Sequence, residues 1–99
     1  MAILVTTSVH GQTQQGYDLI LADLRQIVVA APGFVLHASH PTDEGWRAIE
    51  VWQSKQEADH FFAQCVAPNL SSAVRPKRTY QELHSLVTPS DTPTVVGSP

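Results

Sequence analysis

A glutamate and a tryptophan two residues apart in a run of strand-like alternation, Glu50 and Trp52 in "AIEVWQ", have the types and spacing to do chemistry together. Residues i and i+2 of a strand share a face, so the carboxylate and the indole look into the same space. An indole offers a flat wall for an aromatic or polycyclic ligand. A carboxylate enclosed by such a wall has its pKa raised by desolvation and becomes a proton acceptor. Two histidines in other strand-like runs, His37 and His84, add a second possible base, because neutral imidazole takes a proton from a phenolic hydroxyl near pH 7. The constellation this suggests is His37 or His84 as base, Glu50 as orienting or secondary base, and Trp52 as ring wall.

Each residue also has a plainer use. Trp52 fills an interface, Glu50 joins an interface salt bridge, and the two histidines are hydrogen-bonded sheet residues. Tyr17 and Tyr80 pack, with hydroxyls they can lend to a pocket. The histidines do not have the spacing of a metal site: His37 and His40 are an odd number of residues apart on a strand and face opposite ways, and His10 lies in a separate loop. His60 reads as the polar flank of a helix. The single Cys65 excludes an internal disulfide and a cysteine-based zinc site and reads as a small apolar filler.

Composition narrows the class of protein. Ninety-nine residues make one domain with a modest core, and a chain of this size often completes its site by dimerising. The net charge of −3 and only six Lys and Arg argue against nucleic acid. The one basic cluster, Arg75 to Arg78 in "RPKR", reads as a solvated loop before a strand. No apolar run reaches the roughly 20 residues of a membrane span, and the start "MAILVTTSVHG" does not read as a signal peptide. A cytoplasmic protein is the expectation.

The elements that would position these residues follow from periodicity. Ala2 to Val9 is a β-branched strand. Tyr17, Ile20, Leu21, Leu24, Ile27, Val28 and Ala31 form one helical stripe, ended by Pro32-Gly33. "FVLHASH" and "WRAIEVWQ" predict two strands joined as a hairpin through "PTDEG". Ser54 and Glu57 form a capping box that opens a second helix, with Ala58, Phe61, Phe62, Cys65 and Val66 inward and an end or break at Pro68. Thr79 to Val87 predicts the last strand. The order β-α-β-β-α-β is the ferredoxin-like α+β pattern, a four-stranded antiparallel sheet with both helices on one face. Residues 1–87 are expected to form the domain, and residues 88–99, rich in Pro, Ser and Thr, a flexible tail.

Such a sheet leaves its other face uncovered. The apolar sets Ile49 with Val51, and Phe34 with Leu36 and Ala38, suit the helix side. That reading places Ala48, Glu50 and Trp52 on the open face, together with Val35, His37 and Ser39, and with Glu82 and His84 of the last strand.

The element order, with "VWQSKQEADHFFAQ" and the following "APNL", resembles the antibiotic-biosynthesis-monooxygenase family of dimeric α/β-barrel proteins. In that family a strand ending in valine-tryptophan runs through a polar residue and a serine into the second helix, as Val51, Trp52, Gln53 and Ser54 do here. The resemblance covers residues 2–87. It implies a homodimer whose sheets pair their open faces across a two-fold axis, closing a barrel with a pocket in each protomer; Trp52, Val35, Leu86 and Tyr80 would then line the substrate. Burying Trp52, Val35 and Leu86 would also remove an apolar patch from water. The haem-degrading members of this fold use an asparagine on the first strand, a tryptophan in the second helix and an iron-ligating histidine about ten residues later. Thr6 or Thr7, Phe61 and Ser71 stand at those places, so haem is not expected.

The resemblance implies a cofactor-independent monooxygenase acting on an aromatic or polyketide-type small molecule, with neither metal nor cofactor. Two other readings fit the same barrel: an isomerase or cyclase that does not use oxygen, and a non-catalytic module that captures a small molecule in a stress response.

Overall fold

The computed structural model describes residues 1–89. Strand β1 (Ile3–His10) leads through Gly11, at φ +85°, to helix α1 (Gln14–Val29), whose N-cap Thr13 accepts a hydrogen bond from Gly16 N. Strands β2 (Phe34–Thr42) and β3 (Gly45–Trp52) form the expected hairpin, and Asp43 and Glu44 make its turn. The sheet order is β2-β3-β1-β4 and every pairing is antiparallel. This is the ferredoxin-like α+β architecture that the order of elements predicts.

Helix α2 (Lys55–Phe61) starts at the predicted cap. Ser54 Oγ accepts from Glu57 N at 3.1 Å, a bond whose loss typically costs about 1 kcal/mol. The glutamate closes the box on the side chain rather than the backbone, accepting from Ser54 Oγ at 2.9 Å. Its carboxylate lies against Gly33, at φ +84°, where any Cβ would collide with it. The helix is shorter than its stripe suggests: Phe62–Val66 form one π-helical turn and Ala67–Asn69 a 3₁₀ turn containing Pro68. Helix α1 departs from its stripe at Ile27, which is 50% exposed, whereas Leu24 and Val28 are buried.

The core lies between the sheet and the helices, where Ile3, Val5, Val28, Trp52, Ala58 and Phe61 pack together. Trp52 is fully buried, with Phe34 edge-on at 5.4 Å and Phe61 tilted at 5.5 Å. Strand register then corrects the expected faces. Ile3 pairs with Trp52, Val5 with Glu50 and Thr7 with Ala48, and cross-strand partners share a face, so Trp52, Glu50 and Ala48 lie beneath the helices. On β2, Phe34 pairs with Trp52 but Leu36 with Val51. The irregularity at Val35 puts Phe34 on the helix side and Leu36 and Ala38 on the open side, while His37 and Ser39 return to the helix side.

Strand β4 (Arg75–Glu82) begins four residues earlier than predicted and stops before His84 and Leu86. The "RPKR" segment is thus the first half of an edge strand, where proline and cations are tolerated because no further strand among the described residues pairs there. Helix α2 is clamped to β4 by polar contacts: Tyr80 Oη donates to Asp59 Oδ1 at 2.5 Å, Lys55 Nζ bonds Asp59 Oδ2 at 2.8 Å, and Lys55 lies over the Tyr80 ring at 4.4 Å. The expected tail, residues 88–99, falls outside the described residues from position 90 onward. No helix among the described residues is long and apolar enough to cross a membrane.

Candidate active site

Between the sheet and the helices lies a cavity of about 640 Å³, large enough for a polycyclic molecule. Its floor is the helix-facing side of the sheet: His37 and Ser39 from β2, Trp46, Ala48 and Glu50 from β3, Thr7 and Val9 from β1, and Arg78 from β4. The roof is apolar, formed by Ile20, Leu21 and Leu24 of α1 with Phe61, Phe62 and Val66 from α2 and the π-helical turn. Tyr17 enters from the first turns of α1.

Four side chains form one hydrogen-bonded chain at the β2–β3 end of this floor. His37 and Glu50 are register partners, and His37 Nδ1 lies 2.6 Å from Glu50 Oε2. Trp52 Nε1 donates to the other carboxylate oxygen, Oε1, at 2.9 Å. Tyr17 Oη lies 2.6 Å from His37 Nε2. The His37 and Glu50 side chains are 21% and 15% exposed, so the pair is enclosed but reachable from the cavity.

Enclosure does not raise the Glu50 pKa, contrary to the sequence expectation. Burial pushes it up, but hydrogen bonds from His37 and Trp52, with the charge of Arg78 and of His37 when that ring is protonated, more than offset this and hold it below the ordinary 4.5. Glu50 is therefore an ionised acceptor near neutral pH rather than a base awaiting a proton. An acceptor-only carboxylate requires the proton on His37 Nδ1, which leaves Nε2 of the neutral imidazole to accept from Tyr17. Burial raises the Tyr17 phenol above its usual 10.0; Ser39 opposes this in part and the charge of Glu50 adds to it. Tyr17 is thus a neutral donor.

The structure brings His37, Glu50 and Trp52 together, with different surroundings from those expected. Trp52 is the buried back of the site, holding Glu50 in place, and the indole at the cavity wall is Trp46, stacked on Tyr17 at 5.0 Å and 24°. His84 is exposed beyond the end of β4 and has no part in this cluster. Leu86, 36% exposed, also lies past β4, and Val35 sits at the strand irregularity. Tyr80 gives its hydroxyl to Asp59. Tyr17 brings its hydroxyl to the cavity, the use named for it beside packing, whereas two further cavity residues, Trp46 and Arg78, hold positions that sequence reasoning does not assign to them. Arg78 stacks on Phe62 at 4.1 Å and bonds Thr7 Oγ1 at 3.3 Å. Among the described residues, Trp46 Nε1 and Arg78 Nη2 are buried without a hydrogen-bond partner; Arg78 Nη2 is ion-paired with Asp59 Oδ1 at 3.6 Å, whereas Trp46 Nε1 is a donor whose burial costs about 1–3 kcal/mol when unmatched. Among the same residues no group of three or more His, Cys, Asp or Glu is placed to hold a metal ion.

No protein-family model matches the sequence, and no curated protein matches it at a significant level. Solved structures do. SnoaB, a cofactor-independent oxygenase of Streptomyces nogalater, superposes with a TM-score of 0.67 at 15% identity, over 87% of this chain and 96% of that one. A monooxygenase from the gene ActVA-Orf6 of Streptomyces coelicolor, solved with the ligand nanaomycin D, gives 0.54 at 17% identity over 89% and 91%. A Bordetella bronchiseptica protein proposed to be an antibiotic biosynthesis monooxygenase gives 0.54 at 14% identity over 83% and 97%. The chain has the fold of these small oxygenases, and at such identities the likeness is one of fold alone.

Proposed function

We propose that the protein is a cofactor-independent monooxygenase of the antibiotic-biosynthesis type, cytoplasmic, acting on an aromatic or polyketide-type small molecule. The observation that carries this reading is the His37–Glu50 pair opening onto an apolar-roofed cavity, in a fold shared with SnoaB and the ActVA-Orf6 monooxygenase. The imidazole side removes a phenolic or enolic proton, and ionised Glu50 stabilises the imidazolium that forms. The substrate anion then reduces dioxygen itself. One oxygen atom enters the substrate as a new carbonyl; the other leaves as water, whose two hydrogens are the hydroxyl proton returned by His37 and the hydrogen of the oxidised ring carbon. Trp46 and the apolar roof hold the ring plane and exclude water. A carbonyl oxygen of such a ligand would give Trp46 Nε1 the acceptor it lacks, after a small side-chain rotation.

A panel of quinols and phenolic polyketides, followed with an oxygen electrode, tests this. Stoichiometric oxygen uptake is expected, falling about a hundredfold or more in His37→Ala. Substrate conversion without oxygen uptake would instead make the protein an isomerase or cyclase, and tight binding without conversion a capture module.

The protein is further proposed to be a homodimer joined through the open face of the sheet. That face carries Leu4, Leu36 and Ile49 on three adjacent strands, with Leu36 40% exposed and Val51 among them already buried, and a second copy would cover what is exposed. Light scattering should give twice the chain mass for the wild type and the monomer mass for Leu36→Asp; a monomeric wild type refutes the dimer.

A further inference from the structure

Neither ring nitrogen of His37 is open to a ligand in this structure. Both His37 ring nitrogens are already engaged, Nδ1 by Glu50 and Nε2 by Tyr17, each at 2.6 Å. A ligand hydroxyl in the cavity cannot bond either nitrogen unless Tyr17 moves away. Tyr17 is poorly placed to do so: it is rooted near the start of α1, its ring is stacked on Trp46 at 5.0 Å and nearly parallel to that of His37 at 6.1 Å, and both neighbours belong to the sheet. Its hydroxyl oxygen gives its proton to Nε2; even with the Ser39 hydroxyl bonded to it, one lone pair is left to accept a further proton.

We infer that Tyr17 is a catalytic residue, the group that touches the substrate hydroxyl and relays its proton to His37. The inference deepens the reading of the site as a proton-abstracting one and rests on it. The transfer is balanced. The substrate O–H bond breaks and its proton bonds to Tyr17 Oη, while the proton Tyr17 held passes to His37 Nε2. The substrate is left as an oxyanion, Tyr17 neutral as before, and His37 an imidazolium paired with the Glu50 carboxylate. Neither tyrosinate nor protonated glutamate accumulates, in keeping with a phenol made weakly acidic by burial and a carboxylate held ionised. The other charged groups acting on Tyr17 are Asp18 and Arg25 of its own helix, and Arg78 from β4 lies on the same cavity floor; none is hydrogen-bonded to its hydroxyl.

The test uses a hydroxyanthraquinone, whose absorption moves to longer wavelength on losing its phenolic proton. Bound to the wild type, the dye should ionise at lower pH than in free solution. In Tyr17→Phe, which keeps the ring and its stacking, affinity for the neutral dye should fall only by the loss of one hydrogen bond, about twofold to tenfold, while the ionisation midpoint should rise by about one pH unit, a further tenfold loss. A Tyr17→Phe midpoint equal to or below that of the wild type would overturn the relay and return the direct contact to His37. Histidine ¹⁵N shifts of the ligand-free protein provide a second test that needs no dye. The relay requires His37 protonated on Nδ1 in its neutral form, and a proton found on Nε2 overturns it. If the dye does not bind but the Nδ1–H form is found, the aromatic-ligand reading fails and the relay geometry stands.

Discussion

Glu50→Gln is expected to lower turnover by about a hundredfold to a thousandfold while leaving the cavity its size. The carboxylate accepts from two donors, His37 Nδ1 and Trp52 Nε1. An amide has one acceptor oxygen, so in the variant one of these N–H groups faces an NH₂. The imidazole then loses its orientation, its preferred tautomer, or the negative charge that stabilises its protonated form. Stability should change with pH in a direction that can be worked out. Because folding lowers the Glu50 pKa below 4.5, the ionised carboxylate stabilises the fold at pH values above 4.5, and this contribution is lost as pH falls through the lower folded-state value. Urea midpoints of wild type and Glu50→Gln should therefore differ most near neutral pH and converge as pH falls below 4.5. A difference that widens on acidification would contradict the hydrogen-bond assignment, and unaltered turnover would remove Glu50 from the mechanism.

Trp52→Ala is expected to cost about 3–5 kcal/mol, a large part of the roughly 5–15 kcal/mol that holds a small domain together. The indole is wholly buried between Phe34 and Phe61 and packs the end of β3 against the last turn of α2. Trp52→Phe separates the two roles of the residue. It keeps most of the apolar contact, so denaturant unfolding should show a much smaller loss. It deletes the Nε1–H bond to Glu50, so activity should fall further than stability does. Equal stability losses in the alanine and phenylalanine variants would mean that the hydrogen bond, not the packing, is what Trp52 chiefly supplies.

The order of elements could be read from the chain because its signals are local. Ser54 and Glu57 mark a helix start wherever they fall, and Asp43-Glu44 between two alternating runs marks a hairpin. The faces could not be read, for a physical reason. Hydrophobicity points inward only when the inside is dry and the outside wet. Here the helix-covered side is the floor of a cavity and carries His37, Ser39, Glu50 and Arg78, whereas the open side carries Leu4, Leu36, Ile49 and Val51. Alternation alone therefore selects the wrong side. Strand β1 held the correcting signal, since Ile3 and Val5 are buried and Leu4 and Thr6 only partly so, but using it requires the β1–β3 register. Glu50, Trp52 and His37 could still be grouped, because relative parity survives when absolute facing does not. Tyr17 looked like one more member of a helical stripe, and Trp46 like the start of a strand; only the fold places their rings together.

At Val35 a single residue decides which side of β2 every later side chain occupies. Were Val35 deleted, Leu36 would follow Phe34 directly in the pairing, and the residues beyond it could keep their partners on β3 only if the strand were pulled along by one position. In an alignment of distant homologues a single gap at this point therefore decides which of their residues corresponds to His37. A gap-free alignment through β2 against a relative without the extra residue would match its base to Leu36 or Ala38, and make a shared acid-base residue look absent from one of the two proteins.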